Sequence, residues 1–197
     1  EGVDIISRNT FYNCVELKSI KLPKNLVEIK ECAFSGCEKL ENIEIPEGVV
    51  RISSSAFLGC KSLKNIKLGD ELKIIENSAF DKCSKLTEIV IPASVTSIDG
   101  YAFYDCSELK YIFFEGTETI GDTLVTNAKI HYGSSTHTFE ENYTVDLEPT
   151  CTEKGSKSQH CKYCDLTQNE RPVKENGHTS VNGGTEKFQA YASANWS

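Results

Sequence analysis

The sequence predicts an α/β solenoid: stacked units forming a parallel β-sheet with short helical or 3-10 turns, followed by a small, mostly β or irregular C-terminal domain. Three observations carry this expectation. A period of 23 residues governs residues 1–116, each period holds one apolar alternation closed by Pro or Gly, and the period stops where Thr, Ser, Asn and Gly take over. These place the array at residues 1–133 and the C-terminal domain at 134–197.

Each period reads in the same order. Phenylalanines fall at Phe11, Phe34, Phe57, Phe80 and Phe103, each followed three residues later by Cys14, Cys37, Cys60, Cys83 or Cys106. The Phe-to-Cys spacing suits one turn of α- or 3-10 helix. Leu17, Leu40, Leu63, Leu86 and Leu109 come next, then Ile20, Ile43, Ile66, Ile89 and Ile112. The Leu-x-x-Ile-x-Leu stretch, as from Leu17 to Leu22, alternates and is Ile-rich, which predicts a short strand. Pro23, Pro46, Gly69 and Pro92 end it, because proline has no amide to donate to a ladder. Ile29, Ile52, Ile75 and Ile98 then lead into the next Phe. No single unit covers its own apolar face, so the units must stack, with strands ~4.8 Å apart. The five repeat cysteines then form a column of small buried hydrophobes, the environment most common for an unpaired thiol. Cys32 lies outside the column, in the place of Ser55 and Ser78, and is expected to be partly exposed.

A period in the twenties with this Leu-x-x-Ile-x-Ile core is the mark of leucine-rich repeats. The unit Ala-Phe-x-x-Cys-x-x-Leu-x-x-Ile-x-Ile-Pro resembles the BspA-like leucine-rich-repeat family. Phe113-Phe114-Glu115-Gly116 followed by Ala128-Lys129-Ile130-His131-Tyr132 resembles the way such arrays end, with a closing strand near 128–132. The resemblance implies a secreted or cell-surface protein that serves adhesion by binding other proteins, and it brings no catalytic residues. Glu1-Gly2-Val3 aligns with Glu47-Gly48-Val49, so further repeats or a polar cap are expected before Glu1.

In such a stack the strand residues that are not core face outward on the concave side. Lys21, Glu44 and Lys67 would lie side by side with alternating sign, a solvated face. Towards the end of the array, Val90, Tyr111 and Phe113, flanked by Glu88 and Lys110, place apolar and aromatic surface outward. That patch is either the recognition site or the seat of a C-terminal cap.

The four histidines, His131, His137, His160 and His178, all lie beyond the repeats, with Cys151, Cys161 and Cys164. Cys161-Lys162-Tyr163-Cys164 is a Cys-x-x-Cys knuckle, which presents two thiolates to one tetrahedral metal. Cys151 supplies a candidate third thiolate, and His137 or His178 the fourth ligand, of a closed structural zinc site. A disulfide with one spare thiol, or free thiols, remain alternative readings. His131 reads as a strand residue rather than a ligand. Residues 135–178 also resemble small ribbon-like segments of exported Firmicutes proteins; the resemblance does not fix the ligand set.

Composition excludes whole classes of function. A formal charge of -8 argues against nucleic acid and anionic membranes as partners, and the apolar runs are too short to span a bilayer. No phosphate-binding glycine loop, zinc-protease helix or activated Cys-His pair is visible. The sequence therefore predicts a monomeric, non-catalytic module that binds a protein partner through its exposed solenoid face. A structural spacer or targeting appendage of a larger exported protein is the alternative, and metal-dependent activity at the Cys/His segment a weaker one.

Overall fold

The structure is a computed structural model that describes residues 2–116, 124–133, 136–137, 139–150, 153–162, 164 and 166–173. The chain divides into two compact units, Glu1–Thr136 and His137–Ser197.

In the first unit every coil contributes to two parallel ladders. One is a five-stranded sheet of β1 (Ile5–Ile6), β2 (Glu28–Ile29), β4 (Arg51–Ile52), β6 (Ile74–Ile75) and β8 (Ser97–Ile98). The other ladder carries β3 (Asn42–Glu44) paired with β5 (Asn65–Lys67), and β7 (Glu88–Ile91), β9 (Tyr111–Phe114) and β10 (Lys129–Tyr132) in a three-stranded sheet. Registers advance by one repeat: Ile43 faces Ile66, Ile89 faces Ile112, and Ile52 faces Ile75. The closing strand pairs in parallel with β9, Ile130 opposite Ile112. The parallel solenoid expected from the repeat is therefore present. The five-stranded ladder was not expected as strand, because only two residues per coil take part.

The expected helical turn is the part that differs. Among the described residues there is no helix. The Ala-Phe-x-x-Cys stretch splits its amides between two destinations. Ala33, Ser35 and Cys37 N–H donate three residues back, to the Lys30, Cys32 and Phe34 carbonyls, while Phe34 and Gly36 N–H donate to Ala56 and Leu58 of the next coil. Two left-handed residues per coil impose this: Cys32 at φ 55°, Ser55 at 57° and Ser78 at 54°, then Gly36 at 76°, Gly59 at 70° and Lys82 at 60°. A left-handed residue reverses the local path, so alternate N–H groups point along the solenoid instead of into a helical turn. The corner becomes a third inter-coil ladder.

The core runs down the middle as columns. Phe34, Phe57 and Phe80 are fully buried, as are Leu40, Leu63, Leu86, Ile52 and Ile75. Successive phenylalanine rings from Phe11 to Phe103 stack at centroid distances of 4.9, 5.1, 5.4 and 5.4 Å. At Gly69 an added Cβ would lie 2.4 Å from the Pro46 carbonyl oxygen, so only glycine allows that close approach of adjacent coils.

The second unit carries a three-stranded antiparallel sheet of β11 (Thr144–Leu147), β12 (Gly155–His160) and β13 (Thr167–Val173), with β12 central. Arg171 sits over the Tyr143 ring, its guanidinium carbon 4.4 Å from the centroid. The His160 ring meets Asp146 at 2.6 Å, so His160, next to Cys161, is engaged with that carboxyl group rather than with the thiols.

Candidate functional site

Exposed residues follow the repeat, so charge pairs form between coils, in the turns after the cysteines as well as along the second ladder. Lys39 reaches Glu16 at 2.7 Å, Lys61 reaches Glu38 at 2.7 Å, and Lys67 reaches Glu44 at 2.9 Å. Lys64 pairs with Glu41 at 3.3 Å, and Lys85 pairs with Glu108. All are exposed, so they stabilise little but neutralise the face locally. The expected adjacency of Glu44 and Lys67 is present. An open groove of about 510 Å³ runs alongside them, bordered by Lys21, Glu47, Leu68 and Asp70.

Towards the end of the array, Glu88 and Lys110 are exposed, and Val90 and Tyr111 are half-buried. Phe113 is only 3% exposed. Its ring packs 4.7 Å from the His131 ring and 6.0 Å from Tyr111, which explains why an outward strand position is withdrawn from water. His131 is itself fully buried on β10.

Sequence reading passed over a second aromatic surface. Tyr101 and Tyr104 are 54% and 47% exposed and meet edge-to-face at 5.7 Å. They stand on the corner of the last full coil, beside a groove of about 530 Å³ shared with Asp105 and Val125. The signal was there: Tyr101 occupies the place of Cys32, Ser55 and Ser78 in earlier coils.

The cysteine column is chemically quiet. Cys37, Cys60, Cys83 and Cys106 are buried free thiols, and each donates to the carbonyl of the preceding coil's phenylalanine, at 3.2, 3.2, 3.3 and 3.0 Å. Burial pushes the Cys37 thiol up to about 11 and Cys106 to about 12, and drives Cys60 and Cys83 higher still. A thiol held neutral is a poor nucleophile. Cys32 is half-buried, and burial raises it too. Cys14 is exposed.

In the second unit the ligand atoms of His137, Cys161 and Cys164 lie within 4.8 Å of one another. Cys164 Sγ is 3.5 Å from His137 Nδ1. Cys161 is buried, while His137 and Cys164 are half-buried. Backbone pairing fixes the arrangement: Phe139 bridges Cys161, Glu140 N–H donates to the His160 carbonyl, and Cys161 N–H donates to Leu166. Three of the five expected ligands are thus together, and such a cluster of two sulfurs and an imidazole nitrogen can bind a metal. The other two, Cys151 and His178, lie outside the described residues.

Stacked parallel strands, with one Phe, Cys, Leu and Ile column running through every coil, define a leucine-rich-repeat protein. The family described as BspA type Leucine rich repeat region matches residues 4–131 in six copies, and the chain belongs to it. It is similar to a leucine rich cell surface protein from Faecalibacterium prausnitzii, with 31% identity and a TM-score of 0.53 over 74% of this chain and 34% of that one. It is also similar to a T. pallidum Leucine Rich Repeat protein, with 32% identity and a TM-score of 0.57 over 67% of this chain and 64% of the other. The pneumococcal vaccine antigen PcpA shares the fold, with 24% identity and a TM-score of 0.53 over 60% of this chain and 31% of that one. The chain spans less than two thirds of the length of each. No curated protein matches it. Among the described residues no helix is long and apolar enough to cross a membrane.

Proposed function

We propose that this chain is a secreted or cell-surface binding module, a non-catalytic monomer that adheres to a protein partner through its exposed solenoid face. The observation that carries this is the solenoid itself: a stacked scaffold with a repeated buried core and outward strand positions that vary from coil to coil. Kinship with a cell surface protein at 31% identity supports the location. The neutral, buried thiol column supports a role without covalent chemistry. We assign recognition to the row Glu88, Val90, Lys110 and Tyr111, with Phe113 as its buried base.

Binding to a panel of immobilised extracellular-matrix proteins tests the assignment. V90S/Y111S should weaken capture at least ~10-fold, the loss of ~1.4 kcal/mol that a single buried aromatic anchor readily exceeds. Loss with Y101S/Y104S alone would move the site to the corner aromatics. A second reading, a spacer within a larger exported protein, is favoured by the inter-coil ion pairs that neutralise exposed charge on successive coils. Unchanged capture by both variants would favour it.

Zinc is the ion we assign to His137, Cys161 and Cys164, because two thiolates with an imidazole suit it, and a fourth protein ligand would close the site into a structural one. Cys151 is the sequence's candidate for the remaining thiolate. Metal-dependent catalysis would need the fourth coordination position left open, which Cys151 as a ligand would fill.

A further inference from the structure

The second unit has, among its described residues, little of the apolar interior that normally holds a small fold together. Among its described residues, the buried apolar ones are Cys161 and Val173, each 6% exposed. Its larger aliphatic side chains face out: Val145 is 39% exposed, Leu147 60% and Leu166 40%. All of β11 is exposed, and β13 is exposed up to Val173. Ordering a residue costs ~1–2 kcal/mol of backbone entropy, which an apolar interior normally offsets. Units below ~70–80 residues with little interior generally lean on a disulfide or a metal instead.

The Cys/His cluster sits where such a device would act. His137 opens the unit, Cys161 follows the last residue of β12, and Cys164 closes the knuckle before β13. Linking the three fastens the entering chain to the connection between two strands. The spacing suits one ion. Zinc bonds of ~2.3 Å to sulfur and ~2.0–2.1 Å to nitrogen at tetrahedral angles put sulfur and nitrogen ~3.6 Å apart, and two sulfurs ~3.8 Å apart. The Cys164 Sγ to His137 Nδ1 distance is 3.5 Å.

Resting on the zinc assignment above, we infer that folding of the unit from His137 onward is coupled to zinc, while the solenoid folds without it. The metal takes the place of a hydrophobic core. Because the ligands must be deprotonated and assembled, binding free energy becomes folding free energy.

The test uses the full chain purified under reductant, with Zn²⁺ alone as the ligand. Elemental analysis should find one equivalent, and C161S or C164S should lose it, while C14S, at an exposed cysteine of the solenoid, should retain it. Trypsin sites at Lys154, Lys157 and Lys162 report on the unit. Chelation should speed cleavage there on the order of 100-fold, with the solenoid fragment persisting and added zinc restoring protection. Absence of zinc from the reduced wild-type chain would overturn the metal assignment itself. Bound zinc with cleavage unaffected by chelation would leave that assignment standing and overturn only the coupling. Protection without zinc that reductant abolishes would show a disulfide holding the unit, and would overturn both.

Discussion

Replacing Phe57 by alanine is expected to destabilise the solenoid by about 3–5 kcal/mol, the range for emptying a fully buried aromatic site. Phe57 is 0% exposed and stacks on Phe34 at 5.1 Å and on Phe80 at 5.4 Å. Its removal leaves a cavity and also severs two ring contacts, each worth ~0.5–1.5 kcal/mol beyond area burial. Position within the stack matters as much as burial. A solenoid's stability is a sum of unit terms and nearest-neighbour interfaces, so a defect in the middle weakens the interfaces on both sides. Phe11 is at the first coil, only partly buried, and stacks on a single neighbour. The F11A variant should therefore lose less than about half as much. Thermal unfolding followed by circular dichroism checks this, with a drop of roughly 10 °C expected for F57A. Equal losses for the two variants would mean that the rings do not form a continuous column.

Periodicity exposed most of this architecture, because stacking forces equivalent residues into columns. The Phe, Leu and Ile columns and the parallel register are legible from spacing alone, and the closing strand at Lys129–Tyr132 from the resemblance to the ends of such arrays. The corners are not. Helical spacing from Phe34 to Cys37 is also the spacing of two turns in succession, and only the left-handed φ at Cys32 and Gly36 distinguishes them. Serine, cysteine and glycine at those places give a weak signal for a left-handed backbone. For the candidate sites, the Cys-x-x-Cys knuckle and His137 declared their chemistry through ligand type and spacing. Phe113 marks the limit of that reading, because strand alternation says which way a side chain points but not what covers it. Tyr101 and Tyr104 went unremarked for the opposite reason: the expected binding face was the strand face, and they occupy the corner.

Alkaline pH should destabilise the solenoid steeply, and the cysteine column is the cause. In the folded chain, burial is the largest influence on Cys37, Cys60, Cys83 and Cys106 and raises all four. The neighbouring column thiol adds to this for Cys37, Cys60 and Cys83, since two thiolates there would repel. Each thiol also spends its proton on a phenylalanine carbonyl at 3.0–3.3 Å, a contact that turns repulsive on ionisation. In the unfolded chain the same thiols ionise near their ordinary value of ~8.5–9. Above that pH the unfolded state binds fewer protons than the folded one, so stability falls as pH rises. The contribution is intact below about pH 8.5 and is lost upwards towards the folded values, about 11 for Cys37 and about 12 for Cys106. Each thiol contributes a slope of up to ~1.4 kcal/mol per pH unit, so four together reach about 5 kcal/mol per unit, comparable to the whole stability of many domains. Urea unfolding under reductant should show little change in midpoint from pH 7 to 8 and a collapse between roughly pH 9 and 10.5. The C60A/C83A variant starts from lower stability, yet its slope against pH should be about half that of the parent. A slope unaltered by removing two column thiols would trace the alkaline loss to the lysines of the surface pairs, and the column would then be inert packing.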